Sequence, residues 1–336
     1  MNILITGGAG YIGSHVAKQL IEEKKHSVTL LDNLSTGFQS AVDSLISMDS
    51  SVKFIRHDLS DWDKTEKLIK SGGYDAVIHF AASLIVPESV KEPLKYYINN
   101  TANTSNLVKC CVESGINRFI FSSTAAVYGE PENMAKTGLR EDDALMPISP
   151  YGRSKLFSEY VVRDAGTAYP DFKYVILRYF NVAGASGDGL IGQSTLNATH
   201  LVKVAAQTAL GIREKMFIYG GDYPTPDGTC VRDYIHVDDL ASAHLCSLSY
   251  LDGGVSGIFN CGYGHGYSVS EVIDIMREVS GKDINAEMSG RRAGDPADLI
   301  ADSRKIKDMT GWKPVFDDLR HICRTALDWE TKLSNS

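Results

Sequence analysis

Short, almost purely apolar runs alternate along this chain with longer stretches in which apolar residues return every three or four positions. The runs at 3–6, 27–31, 52–57, 75–80, 118–123 and 174–177 are rich in Ile, Val, Leu and Phe. They suit strands of a parallel sheet covered on both faces, because neither face keeps a polar set. Between them, 11–23, 94–113 and 151–164 carry the period of amphipathic helices. Strand and helix in turn predict an α/β fold with a doubly wound parallel sheet.

After about residue 180 the alternation weakens, and glycine-rich loops occupy 184–192, 219–229 and 253–266. This predicts a sheet domain over 1–180 and a smaller C-terminal α/β substrate domain over 181–336. Residues 258–261 are a candidate strand returning to the sheet. No repeat or linker separates the parts, so they are expected in intimate contact.

Charge and composition narrow the partners. The 336 residues carry a net charge of −8, and Lys and Arg gather into no basic patch. Nucleic acid and anionic membranes are therefore excluded as partners. Met1-Asn2 leads straight into Ile3-Leu4-Ile5 without the charged start and long apolar core of a secretory signal. No run approaches the roughly 20 apolar residues that span a bilayer, and the expected location is cytoplasmic. The 6 cysteines include no Cys-x-x-Cys pair and the 9 histidines are scattered, so reduced thiols and no metal site are expected.

Gly7-Gly8-Ala9-Gly10-Tyr11-Ile12-Gly13 follows the first strand and opens a helix. Gly7, Gly10 and Gly13 allow a tight turn, close approach of backbone to a pyrophosphate and close helix packing, as in a Rossmann sheet. The helix start adds free N–H groups and a positive dipole end. Asp32 ends the second strand about 20 residues later, where a carboxylate accepts from the adenosine ribose and repels a 2′-phosphate. NAD is thus expected over NADP. Asp58-Leu59, after the third strand, is placed either to meet the adenine or simply to turn the chain. Gly187-Asp188-Gly189-Leu190-Ile191-Gly192 also fits a glycine pattern, but it lies past its nearest strand and is read as a chance match.

Ser149-Pro150-Tyr151-Gly152-Arg153-Ser154-Lys155 reads as a helix start, with Ser149 as N-cap and Pro150 in the first turn. Tyr151 and Lys155 then share a face. An ammonium beside a phenol lowers its pKa toward the working pH, which predicts Tyr151 as a general base. Thr124 closes the fifth strand, at the carboxyl end of the sheet where ligands of such folds sit. Tyr169 and Lys173 share the spacing, but Pro170 makes a common helix face implausible.

These stretches resemble the extended short-chain dehydrogenase/reductase family, and within it the epimerases of nucleotide-sugars. The likeness covers essentially the whole chain. Besides the glycine loop and residues 151–155, it rests on Asp32-Asn33-Leu34-Ser35, His79-Phe80-Ala81-Ala82, Ser123 to Gly129, Arg178-Tyr179-Phe180-Asn181, Gly228 to Asp239 and Arg291-Arg292-Ala293-Gly294-Asp295. The resemblance implies inversion at C4 of a UDP-hexose through a transient 4-keto sugar, with NAD bound and Thr124, Tyr151 and Lys155 catalytic. It implies NAD contacts at Gly7, Gly10, Tyr11, Ile12, Gly13, Asp32, Asn33, Ser35, Asp58 and Leu59. Phe80, Ala81, Ala82, Asn99, Ser122, Tyr151, Lys155 and Tyr179 complete that set. For the UDP-sugar it implies Thr124, Tyr151, Asn181, His200 and Leu201, with Arg232 and Arg292 on the diphosphate, Asp295 on the uridine ribose and Leu299 at the sugar. An ion pair with Asp233 or Asp295 is the plainer reading of the two arginines, and Arg232 to Asp239 also reads as scaffold.

Two departures matter. Many family members carry a cofactor-touching Lys where this chain has Leu84. Strictly hexose-specific members carry a Tyr where Leu299 stands, so room for a C2 N-acetyl group is expected here. A dehydratase of the same scaffold resembles its relatives in an Asp-Glu after the Thr, whereas this chain has Ala125-Ala126. A nucleotide-sugar dehydrogenase and a non-catalytic NAD-binding regulator would each use the same cofactor cradle. The family commonly forms homodimers. Here Tyr97, Leu107, Val108, Phe157 and Val161 supply either that interface or buried core.

Overall fold

The computed structural model describes residues 1–131, 138–196, 198–292 and 296–335. Its centre is a seven-stranded parallel sheet. The predicted runs become β1 (Asn2–Thr6), β2 (Ser27–Asp32), β3 (Lys53–Arg56), β4 (Ala76–His79), β5 (Arg118–Thr124) and β6 (Lys173–Tyr179). The chain then passes through β7 (Asn181–Ala183), β8 (Met216–Tyr219), β9 (Val231–Arg232) and β10 (Tyr234–His236) before β11 (Gly257–Cys261). β11 returns to pair with β6, giving the order β11-β6-β5-β4-β1-β2-β3. Three short strands follow: β12 (Tyr267–Ser268), β13 (Ala286–Ser289) and β14 (Asp298–Leu299). They build two small sheets with β9 and β8.

Alternation along each strand sends successive side chains to opposite sheet faces. Ile3 and Ile5 enter one core with Val16, Leu30 and Leu240, while Leu4 enters the other with Val77, Phe119 and Ile176. The first face is covered by α1 (Tyr11–Glu23), α2 (Gln39–Met48) and a later helix, Val237–Leu251. The second is covered by α3 (Trp62–Gly72) and by the region running from α4 (Val86–Lys91) through α5 (Pro93–Tyr96), α6 (Asn103–Glu113) and α7 (Pro150–Ala168). The C-terminal half adds α8 (Leu201–Ala209), α9 (Val237–Leu251, the helix just named), α10 (Val269–Ser280), α11 (Arg304–Thr310) and α12 (Leu319–Ser334). No helix of the described residues is long and apolar enough to cross a membrane.

The predicted helix at 94–113 is present as an unbroken helical run, but it is not α throughout. Between α5 and α6 the backbone widens into a π-type turn, Tyr97–Ala102. Its cause lies in Asn100, whose amide donates to Ser83 O at 2.9 Å and Ser154 Oγ at 2.9 Å while its Oδ1 accepts from Ser83 N at 2.7 Å. Those bonds pull one turn out of the regular ladder and dock it on α7 and on the loop after β4. Of the candidate interface residues, Leu107 and Val108 are buried and Val161 packs against the same core. They are core residues because they face the sheet.

Three buried histidines give the fold a pH dependence. Desolvation pushes His79 down to about 3 and His236 and His244 down to about 4. Each stays neutral in the folded chain at pH 5.5, whereas its unfolded counterpart protonates near 6.5. Their contribution is whole above about pH 6.5 and drains as pH falls toward those lowered values. Asp233, pushed up to about 6 by burial, opposes them, because the folded form then binds the extra proton. Three groups outweigh one between pH 7.5 and 5.5, so Tm is expected to fall by several degrees across that interval. A flat or rising Tm in calorimetry would contradict it.

Candidate active site

A cleft of about 1830 Å³ lies along the carboxyl ends of the parallel strands. Its lining comes from the residues that follow β1, β2, β3 and β4 and from the last residues of β5 and β6, and the C-terminal half closes the far side. Ligands of open parallel sheets bind in this place. Every described residue assigned a site role in the sequence lines this one cleft. Asp295 lies outside the described residues.

The glycine loop fits a dinucleotide by what it excludes. Gly7 has φ +72°, and a Cβ there would stand 2.7 Å from Ala81 N. A Cβ on Gly13 would stand 2.3 Å from Gly7 O. Gly10, at the N-cap of α1, offers no side-chain cap, so the first-turn N–H groups remain for an anion. Tyr11 and Ile12 line the cleft beside them. Tyr11 OH donates to Gly184 O at 2.6 Å, which ties the loop to the C-terminal half.

Asp32 ends β2 with both oxygens in use. Oδ2 accepts from Ala9 N at 3.0 Å and Oδ1 from Leu34 N at 2.8 Å. Burial raises its pKa while those two bonds oppose the rise, and each oxygen keeps a lone pair for a ribose hydroxyl. Asn33 Nδ2 donates to Asp58 Oδ2 at 2.7 Å, and Ser35 N donates to Asn33 Oδ1 at 2.9 Å, so the loops after β2 and β3 brace each other. Leu59 lines the cleft and is buried with Leu31 and Ile69, 6% exposed. Beyond β4, the Phe80 ring lies tilted against His244 at 4.9 Å between centres, Ala81 and Ala82 line the cleft with the Ala81 backbone close against Gly7, and Leu84 stands on the rim. Asn99, on the wide turn, donates to Ser83 Oγ at 3.0 Å. The hydroxyls of Ser122 and Tyr179 are hydrogen-bonded to each other.

Ser149 caps α7 by accepting from Gly152 N at 3.1 Å, with Pro150 in the first turn. This start aims Tyr151 at the end of β5, where it is hydrogen-bonded to Thr124. Lys155 Nζ donates to Ser122 O at 2.7 Å. The predicted lowering of the Tyr151 pKa by Lys155 is absent here. Burial raises the phenol, opposed only by the Thr124 bond, and burial also pushes Lys155 down to about 7, opposed by Glu159. Desolvation acts on both groups, so each favours its neutral form.

Across the cleft lie Asn181, His200, Leu201, Arg232, Arg292 and Leu299. His200 Nδ1 is hydrogen-bonded to Gln193 Nε2 at 2.9 Å. Arg232 Nη1 donates to Val231 O at 2.8 Å, and the Arg292 guanidinium sits 4.2 Å from the centre of the Tyr219 ring. Asp233 holds backbone instead, accepting from Tyr263 N at 2.9 Å and Gly264 N at 3.0 Å. Asp239 accepts from Val315 N at 2.9 Å and Phe316 N at 2.8 Å. Those two carboxylates are scaffold. Phe217 and Tyr219 also line the cleft and were missed, although their spacing of two puts both on one face of a strand. The chance glycine match at 187–192 stays outside the cleft, with Asp188 paired to Lys18 at 3.0 Å. Tyr169 caps the end of α7 and Lys173 opens β6, so they share no helix face.

Residues 3–262 match the NAD dependent epimerase/dehydratase family. The chain belongs to this family. Its cofactor is NAD, which the glycine cradle and Asp32 fit. Among relatives of this epimerase/dehydratase, the UDP-glucose 4-epimerase of Azospirillum brasilense is 49% identical over 335 residues, covering 99% of this chain and 93% of that one. That of Lacticaseibacillus casei is 47% identical, covering 98% and 96%. The solved UDP-Glc/GlcNAc 4-epimerase of Campylobacter jejuni is 53% identical with a TM-score of 0.86, covering 98% of this chain and 99% of that one. UDP-glucose-4-epimerase of Stenotrophomonas maltophila, solved with NAD and formylated UDP-arabinopyranose, has a TM-score of 0.94 at 36% identity, covering 100% and 99%.

Proposed function

We propose that this protein is a UDP-hexose 4-epimerase, interconverting UDP-glucose and UDP-galactose and so serving galactose metabolism. The observation that carries it is the convergence of Tyr151, Thr124 and Lys155 between a dinucleotide cradle and an arginine-bearing wall of the same cleft. NAD, when bound, supplies reversible hydride exchange at the sugar's C4. Gly7, Gly10, Gly13 and Asp32 hold it from one side, with Asn33, Ser35 and the loop after β4 around its adenosine half. Tyr151 Oη takes the O4 proton and returns it, Thr124 Oγ1 orients that hydroxyl, and Lys155, once protonated in the loaded cleft, stabilises the phenolate. Arg232 and Arg292 bind the diphosphate as permanent cations, while Asn181, His200 and Leu201 bound the sugar. Residues 1–180 form the NAD-binding part and 181–336 the substrate part, with β11 serving the sheet.

A dehydratase needs an acid and a base beside the Thr, and Ala125-Ala126 supplies neither. The test is incubation of the purified protein, without added cofactor, with UDP-galactose and with UDP-GlcNAc. C4 epimers without accumulating NADH are expected. Free NADH with a keto sugar would indicate a dehydrogenase, and NAD binding without turnover the regulator.

Leu299 is part-buried against the cluster of Ala125, Leu156 and Phe180 at the cleft. We assign UDP-N-acetylhexosamines to the same site, because a leucine leaves space that a tyrosine would fill. Leu299→Tyr is expected to reduce kcat/KM for UDP-GlcNAc by about 10–200-fold with little change for UDP-galactose. Equal losses on both sugars would remove Leu299 as the determinant.

Homodimerisation is proposed through an apolar strip on α5, the wide turn and α7. Leu94 is 71% exposed, Ile98 60%, and Phe157 and Tyr160 45% each, with Tyr97 stacked on Phe157 at 5.8 Å. Light scattering should give twice the chain mass of 36.7 kDa, and Leu94→Glu with Ile98→Glu should halve it. A monomeric native protein would dismiss the interface. Six free thiols suit a reducing cytoplasm.

A further inference from the structure

Behind the reacting groups lies a second polar set that does not line the cleft. Glu159 is 0% exposed and Arg178 is 1% exposed. Glu159 stands one turn after Lys155 on α7, so the two side chains share a face. Its carboxylate accepts from the Ser123 hydroxyl on β5. It also accepts from Arg178 of β6, through Nη2 at 2.7 Å and Nε at 3.0 Å. Arg178 Nη1 then reaches Tyr128 OH at 3.0 Å and Glu141 O at 3.1 Å, and Tyr128 donates to Asn260 of β11 at 2.6 Å. A buried ion pair is tolerated when its hydrogen bonds are complete, and this one joins α7 to three neighbouring strands.

The consequence for the site is local. Two consecutive residues of β5 are gripped by α7, Ser122 through its carbonyl by Lys155 and Ser123 through its hydroxyl by Glu159. Thr124 is the next residue, and Tyr151 lies one turn before Lys155.

We propose that Glu159, clamped by Arg178, is a positioning residue for the epimerase reaction, holding Thr124 in register with Tyr151 through Ser123 and placing a carboxylate one turn from Lys155 as its supporting charge. This rests on the reading of Tyr151 and Lys155 given above. The groups against Lys155 are Glu159 from its own helix, neutral His79 from β4, and the Phe121 ring at 5.0 Å and the Ser122 carbonyl from β5, while on β6 Arg178 is held by Glu159 and Tyr179 by the Ser122 hydroxyl. Glu159 supplies the negative charge among them, and it opposes the burial that favours the neutral amine.

The test is the pH profile of kcat/KM for UDP-galactose on NAD-loaded protein. An opposite charge nearby supports a charged group by about 1–3 pH units. Glu159→Gln is therefore expected to bring the alkaline limb down by about one unit or more. That change strands Arg178, so the paired variant Glu159→Gln with Arg178→Met serves as the folded reference, with a smaller downward shift. Ser123→Ala keeps both charges and is expected to lower kcat about tenfold, by loosening the register, with the limb unmoved. A folded Glu159 variant with the native limb overturns the charge role, and native kcat in Ser123→Ala overturns the register role. Tyr151→Phe in the same assay separates failure of this proposal from failure of the reading beneath it, since only the latter predicts native activity there.

Discussion

Tyr151→Phe is expected to fold, to bind NAD and to turn over UDP-galactose about 10²–10⁴-fold more slowly than the native protein. The magnitude follows from removing one positioned proton acceptor while leaving everything else in place. Tyr151 is hydrogen-bonded to Thr124 and stacks edge-on against Tyr96 at 6.4 Å. The ring contact survives the change, so stability should alter little. Because burial raises the phenol and lowers Lys155 in the protein alone, the base is weak until ligands bring further charge into the cleft. The measurement is single-turnover rate against pH, beside a direct assay of NAD binding. Native turnover in the phenylalanine variant would hand the proton transfer to another group.

Gly13→Ala is expected to be nearly as severe by a different route. The added Cβ meets Gly7 O at 2.3 Å, Gly7 C at 3.1 Å and Gly8 Cα at 3.1 Å. All three are backbone, so no side chain can swing aside. Relief requires α1 to move off β1, which widens the turn that holds the pyrophosphate. Overpacking of this kind costs about 1–3 kcal/mol, so the variant should melt at a lower temperature. Its affinity for NAD should fall more than tenfold, since a loss of 1.4 kcal/mol is about that factor. Isothermal titration with NAD reads the second effect, and unchanged affinity would mean that the loop tolerates a wider turn.

The parts of this architecture that were legible in the sequence were those governed by burial. Runs such as Ile3-Leu4-Ile5 lie between two covered faces, so their composition alone announces a parallel strand. The return of 258–261 to the sheet was legible for the same reason. Gly7 and Gly13 were legible because sterics leave no other residue there. The wide turn at Tyr97–Ala102 was not, since it is imposed by the bonds of Asn100 to Ser83 and Ser154, partners distant in sequence. Helical period alone also could not separate Leu107 and Val108, which face the sheet, from Leu94 and Ile98, which face outward. Ionisation was the least legible layer. Spacing placed Lys155 on the same helix face as Tyr151, but only the packed surroundings reveal that desolvation, and not a charge effect between them, shifts both groups.

The late arrival of β11 has a consequence for how the chain is made. β6 ends at Tyr179, and the strand that covers its outer edge begins only at Gly257. At ribosomal rates of about 5–20 residues per second, the edge carrying Val175, Ile176 and Leu177 stays bare for seconds while the intervening segment emerges. An uncovered apolar strand edge recruits other strands, so a nascent chain paused before codon 257 is a natural client for chaperones.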